Sequence, residues 1–303
     1  MIKRNLSKVL LLLAISMVYI TFSCNNTSKT EEAPIIGKAD LKLKSDILTP
    51  EVLWSFGRLN DVQVSPDEKT LLYGVSYYSK EQNKGNRELF TLSLNGGTPQ
   101  QITKTAGGEY NAIWNADGSK ILFLAAAEDG LQIYSMNPDG TGRIQISSQP
   151  GGINNIKLSP CGKKILFTSD VKIDKSIEDM HPDLPLAEAK LYDDIMYRHW
   201  DTWEDGYYSH IFIADLENGS VKNATDIMPG EPFDSPLMPF GGIEEITWSP
   251  DSKTIAYTCK KLSGRDYALS TNSDVYLYNI ETGQTTNFTE GMPGYDWQPL
   301  YSP

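Results

Sequence analysis

The sequence predicts an all-β fold, a β-propeller of four-stranded blades, on three observations. A short turn segment recurs as VSPDEK from Val64, WNADGSK from Trp114, LSPCGKK from Leu158 and WSPDSK from Trp248, with a partial copy, YSP, at 301–303. Ser65, Asn115, Ser159, Ser249 and Ser302 then share one repeat position, spaced by 50, 44, 90 and 53 residues. A blade takes about 40–50 residues, so the 90 is one blade plus an insertion. Finally, 16 Tyr, 24 Gly and 17 Pro suit short strands joined by many turns.

Each repeat predicts the same four strands. An alternating strand comes first: DVQV, NAIW, NIKL or EEITW. In the turn that follows, Pro fixes φ and Asp, Asn or Gly tolerates the next corner. The second strand is TLLYGVSYY, KILFLAAA, KILFTSD or TIAYTCKK, and the third is ELFTLSL, QIYSMN, HIFIADL or DVYLYNI. A turn (LNGG, PDGTG, ENGS, ETGQ) leads to a fourth strand ending in QIT, QIS, NAT or NFT. An ordinary sandwich explains the strands but not the period. Trp297 aligns with the first strand of a fifth blade and Ser302-Pro303 with its turn. Four blades and the start of a fifth predict an incomplete ring, cut from a longer chain, because a propeller closes its first blade on its last.

The N-terminus reads as a signal peptide over residues 1–23. Lys3, Arg4 and Lys8 precede the apolar run 9–22. That run reaches about 21 Å as a helix, short of the ~30 Å membrane core. It closes on Ser23-Cys24, which resembles a bacterial lipobox, although Thr21 stands where Leu is usual. Cys24 is therefore the expected lipidation site, and residues 24–47 are the lipidated Cys and a polar tether to a partial propeller over 48–303. These features place the protein in the cell envelope, exported and lipid-anchored, in the periplasm or at the outer membrane surface. Loss of residues 1–23 removes three cations and no anion, taking the formal charge from −12 to −15. Such a chain is a poor partner for nucleic acid, and its only expected membrane contact is the lipid. Cys161 and Cys259 sit in repeat segments of similar appearance. They read as independent thiols, with a disulfide as an alternative that spacing does not decide.

The insertion, about 170–210 in the third blade, holds all three histidines (His181, His199, His210) and eleven carboxylates between Asp170 and Asp205. No HExxH or EF-hand spacing occurs, so no metal and no cofactor are predicted. LPLAEAKLYDDIMY, 184–197, is amphipathic enough for one short helix, with the nearby aromatics packed on the propeller. The candidate substrate-facing residues are Arg198, His199, Trp200, Trp203, Glu204, Tyr207 and Tyr208. Arg198 suits a carboxylate, Glu204 or Asp205 a peptide's amino group, and the aromatic residues an apolar and cation–π wall. The Pro-rich stretch MPGEPFDSPLMPFGG, 228–242, reads as an extended connector, with a gating loop as the alternative.

LTPEVLWSFGRLNDVQVSPDEK, 48–69, resembles the opening of the propeller in S9 (prolyl oligopeptidase) family serine peptidases. YDDIMYRHWDTWEDGYYSHIFIAD, 192–215, resembles the dipeptidyl-peptidase V and acylaminoacyl-peptidase branch. With the repeats, the resemblance covers 48–303. It implies a propeller that caps a C-terminal α/β-hydrolase domain and admits only short peptides, with oligopeptides as substrates. This chain contains no G-x-S-x-G nucleophile elbow. No catalytic residue is therefore assigned, and the chain alone is expected to be inactive. The alternative is a non-enzymatic TolB-like propeller that binds an envelope protein or peptide.

Overall fold

The structure is a computed structural model that describes residues 34–43 and 45–302; the expected signal peptide and Cys24 lie outside them. A six-residue helix, α1 (Pro50–Ser55), opens after Thr49, whose hydroxyl accepts the Val52 amide. Four antiparallel meanders follow. Blade one is β1 (Arg58–Val64), β2 (Thr70–Ser79), β3 (Lys84–Ser93) and β4 (Gln100–Gln101). Blade two is β5 (Glu109–Trp114), β6 (Ile121–Ala127), β7 (Gly130–Met136) and β8 (Ile144–Gln145). In the third, β9 (Asn154–Leu158) and β10 (Lys164–Lys172) precede an insertion. The insertion contains α2 (Ile177–Met180) and a small hairpin, β11 (Arg198–His199) and β12 (Thr202–Trp203). The blade resumes with β13 (Tyr207–Glu217) and β14 (Ser220–Asp226). Blade four is β15 (Ile246–Trp248), β16 (Thr254–Cys259), β17 (Asp274–Asn279) and β18 (Gln284–Asn287), with α3 (Gly264–Leu269) between β16 and β17. The fold is thus all-β and propeller-like.

The core lies between blades rather than inside any one of them. Leu72, Leu89, Trp114 and Phe123 join blades one and two. Ile113, Ile133, Ile156 and Phe167 join two and three, and Leu166, Ile211, Trp248 and Tyr257 join three and four. Every blade also stacks an aromatic pair across its second and third strands: Tyr73–Phe90, Phe123–Tyr134, Phe167–Phe212 and Tyr257–Tyr276, with centroids 5.4–5.9 Å apart. Such pairs contribute about 0.5–1.5 kcal/mol each beyond burial.

The recurring turn is one structure repeated. Ser65 Oγ accepts the Lys69 and Thr70 amides and donates to Asp67, and Ser249 repeats the set with Lys253, Thr254 and Asp251. Asn115 Oδ1 and Ser159 Oγ accept Lys120 and Lys164 at the same place. The fourth turn residue is left-handed each time: Glu68, Gly118, Gly162 and Ser252, with φ of 58°, 71°, 70° and 61°. Neighbouring turns also touch. A Cβ on Gly162 would come within 2.6 Å of Ala116 Cβ, and Ser252 Oγ accepts the Cys161 amide at 3.0 Å.

Four expectations change. NAT is not the third copy of QIT, because Asp226 pairs with Phe212 as Gln101 pairs with Phe90, putting Asp226-Ile227-Met228 in register. EEITW is a strand only from Ile246, since Ile243–Glu245 form a 3-10 turn. No helix forms over 184–197; Leu184, Leu186 and Leu191 are exposed, so the segment has no surface on which to bury a face. The short helix lies earlier, fixed by a capping box between Ser176 and Asp179. The fifth first strand is absent among the described residues, although Tyr295 bridges Ser273 in parallel. The two thiols are free and not equivalent: Cys161 is exposed in a turn, and Cys259 is buried at the end of β16.

Gly162→Ala combines a left-handed φ with a clash, and is expected to lower unfolding free energy by about 1–3 kcal/mol in a denaturant titration. Glu68→Gly, at the exposed equivalent, is expected to change it by less than about 1 kcal/mol.

Candidate functional site

In a meander, the second-to-third strand connections and the links between blades emerge at the end opposite the repeated turns. At that end the blade-three insertion meets the Pro-rich segment 228–242 and the blade-four connection that carries α3. They enclose a cavity of about 460 Å3. The insertion supplies Asp174, Tyr192 and Glu204, β13 supplies Tyr208, the Pro-rich segment Phe233, Asp234 and Leu237, and the α3 connection Lys260 and Tyr267. A smaller cavity of about 130 Å3 adjoins it. The two share Glu204, Asp234 and Tyr267, and the smaller adds Asp170, Asp205, His199 and Trp203.

The insertion is ordered by its own contacts. Tyr192, Tyr197 and Trp203 form an aromatic cluster with centroids 5.5–6.2 Å apart, and Tyr192 OH donates to Glu204 O at 2.7 Å. The Glu204 amide donates to Tyr197 O at 3.1 Å. At the base, Ile173 N donates to Gly206 O, and Tyr208 OH donates to Asp174 Oδ2 at 2.8 Å. Lys172 pairs with Asp179 to hold α2.

The cavity is predominantly acidic, with Asp174, Asp193, Asp194, Glu204 and Asp234 against Lys175 and Lys260. Among the described residues no ion pair engages Asp170, Glu204, Asp205 or Asp234. Burial, then the charges of Glu204 and Asp170, push the Asp234 carboxyl up to about 7 against the opposing Ser209 amide. Burial and then Asp205 raise both Glu204 and Asp170. Tyr267 is pushed up to about 12 by burial and then by Asp234 and Glu204. Of the two lysines in the lining, Lys175 is exposed, and Lys260 is already held by Tyr267 O (2.7 Å) and Ser270 O (2.5 Å), above the Tyr267 ring. A cation with an apolar body is the ligand this arrangement favours.

The sequence candidates divide. Glu204 and Tyr208 line the large cavity, and His199, Trp203, Glu204 and Tyr207 the small one. Arg198 lies outside both; its guanidinium sits over Trp203 at 5.0 Å and its Nε donates to Trp200 O. Trp200, 73% exposed, is outside too, its ring edge-on to Phe240. The three histidines do not converge. His210 is buried with Nδ1 2.8 Å from Asp226 Oδ2 and Nε2 2.8 Å from Glu231 O. Its repeat equivalents are Glu88, Gln132 and Asp274, each bonded to a hydroxyl of the fourth strand's continuation. His210 is thus one version of a recurring buried clamp. Asp170, Asp234, Tyr192 and Tyr267 were not singled out in the sequence; Asp234 stood within the stretch expected to be a connector.

No family model matches the chain. It is 43% identical over 276 residues to a dipeptidyl-peptidase 5 of Porphyromonas gingivalis, a match over 89% of this chain and 40% of that protein. It is 36% identical over 260 residues to a dipeptidyl-peptidase 5 of Porphyromonas endodontalis, over 86% of this chain and 38% of that protein. The chain therefore spans about two fifths of the curated relatives it matches. Among solved structures, the acylaminoacyl peptidase of Pyrococcus horikoshii superposes with a TM-score of 0.54 at 15% identity, over 78% of this chain and 33% of that one. That likeness concerns the fold.

His210→Gln, which copies Gln132, is expected to keep unfolding free energy within about 1 kcal/mol. His210→Leu leaves Asp226 and Glu231 O without their donor and is expected to cost about 1–3 kcal/mol; paired denaturant titrations check both.

Proposed function

Proceeding from a chain that is a propeller-like part of an S9-family peptidase, we propose that it is the substrate-admitting portion of an exported dipeptidyl or acylaminoacyl peptidase. The hydrolase domain that cuts the peptide lies outside these 303 residues, and Cys24 anchors the protein to the envelope by lipid. An enzyme that removes dipeptides must find a free amino terminus. One observation carries the reading: Glu204 and Asp234 meet at the join of two cavities, with Asp170 beside them in the smaller one, and among the described residues none of the three has an ion-pair partner. A peptide ammonium at that join relieves their repulsion, while Tyr192, Tyr208, Tyr267 and Phe233 take the apolar part of the first residue. Glu204 is the expected ammonium acceptor. Arg198 acts on the insertion itself, by covering Trp203.

In the full-length peptidase, Glu204→Ala is expected to raise KM for dipeptidyl substrates by roughly ten- to a hundredfold, the value of one charge-assisted hydrogen bond. Arg198→Ala is expected to leave it within about twofold. Equal KM for wild type and Glu204→Ala removes the carboxylate from substrate binding. Reading the gene past codon 303 tests the wider proposal: further repeats and then a G-x-S-x-G elbow are expected, and an immediate stop defeats the peptidase reading for this product.

A further inference from the structure

Two exposed aromatic rings stand beside the smaller cavity, on turns from different segments. Trp200 is the first residue of the two-residue loop between β11 and β12, where His199 pairs with Thr202. Phe240 follows Pro239 in the Pro-rich segment, in a turn closed by the Gly241 amide to Leu237 O at 2.7 Å. Each is 73% exposed, and their centroids lie 5.8 Å apart with the planes at 71°. His199 also meets Phe240 edge-on, at 6.3 Å. The chain neighbours of the pair, His199, Met238 and Pro239, line the cavity itself.

The backbone at Trp200 is costly for that residue. Its φ of 57° is left-handed, a place that two-residue hairpin loops fill with Gly, Asn or Asp. Among the described residues ten other than glycine have positive φ; nine are Asn, Asp, Ser, Glu or Gln, and Trp200 is the one large apolar residue. Burial does not offset the strain, because most of the residue faces solvent. The Phe240 turn is equally fixed: a Cβ on Gly241 would come within 2.6 Å of Leu237 N and O. A residue that its own loop disfavours, set against a second exposed ring, serves something outside the fold.

We propose that Trp200 and Phe240 form an aromatic corner that reads an apolar side chain, best a ring, in the third or fourth residue of a peptide. This rests on the peptide reading of the cavity and adds to it a preference beyond the amino-terminal dipeptide. Distance sets the position. A cavity of about 130 Å3 is about 6 Å across as a sphere, and an extended peptide advances ~3.3–3.6 Å per residue. Glu204 and His199 both line that cavity. A strand with its ammonium at Glu204 therefore passes His199 by about its second residue and meets the rings beyond by its third or fourth. Two rings near a right angle take a third on one face and against one edge, the arrangement aromatic side chains prefer. Proline and leucine fill the same corner by apolar contact alone.

Tetrapeptides with Phe or Ser at the third and fourth positions, given to the full-length peptidase, test this. KM is expected to be about tenfold lower for the Phe peptides, the scale of two aromatic contacts. Trp200→Gly and Phe240→Ser are each expected to cut that preference to about threefold or less. Trp200→Gly is also expected to keep Tm or raise it by about 2 °C, because glycine relieves the left-handed strain. An undiminished preference in both variants overturns the proposal. So does a Tm lowered by several degrees with the preference intact, which makes the pair a packing surface. If Glu204→Ala leaves every KM unchanged while the Trp200-dependent preference persists, the ammonium reading fails and the corner stands.

Discussion

Everything in this arc depends on one residue per blade, in the left-handed region on the first strand, reaching to its neighbour. Asp61, Asn111 and Asn155 lie four residues before their turn residue, with φ of 51°, 50° and 53°. Asn and Asp accept this conformation more readily than other side chains. The resulting bulge turns the side chain out of its own sheet. Asp61 Oδ2 accepts the Asn111 amide at 3.1 Å, and Asn111 Oδ1 accepts the Ile156 amide at 2.6 Å. Blade one is thus tied to two and two to three by side-chain acceptors from the same repeat position, although the donor amide lies four residues before the turn residue in blade two and three before it in blade three. The buried clusters between blades need that registry, because a sheet shifted by one residue presents its polar face to the neighbour.

Blade four departs from the pattern, and the departure supports the cavity. Glu245 stands where the left-handed residue belongs, in a 3-10 turn, and its carboxylate turns to Leu237 of the Pro-rich segment. The tie between blades three and four passes instead to Lys157, whose ammonium donates to Ile243 O and Ile246 O at 3.2 and 2.7 Å. Burial lowers the pKa of Lys157, with Glu244 opposing, and Trp248 Nε1 returns a bond to Lys157 O. A substituted link frees the repeat position to hold a cavity wall. Beyond blade four the pattern resumes: Gln298, four residues before Ser302, has φ 52°. The register expected of a fifth repeat is therefore present in the backbone, though without a paired strand.

What the sequence disclosed follows from which interactions are local. The turns were legible because Ser65 bonds only residues within five positions of itself. Strand order followed from the short meander links, and the insertion from the 90-residue gap. The position shared by Glu88, Gln132, His210 and Asp274 was not legible: four residue types fill it, and only the strand pairing of Asp226 shows that His210 belongs with them. The same holds for the cavity. Glu204 and Tyr208 were found because the insertion is unusual, whereas Asp234 and Tyr267 come from other segments and meet Glu204 only in three dimensions.

That the cavity lies at one end of the blades also has a steric cause. At the repeated-turn end, each turn packs on the next closely enough that Gly162 has no room for a methyl group. Extra residues there would separate the blades and break the ladder of first-strand bonds. At the other end the second-to-third connections span 80–83, 128–129, 173–206 and 260–273, so length there is free to vary. Lengthening an existing loop adds little closure entropy, about 0.6 kcal/mol per doubling. The hairpin beneath the insertion stays paired to its last residue, Lys172 with Tyr207. An added segment at that end can therefore gain a cavity and an acidic lining without disturbing the contacts that hold the blades together.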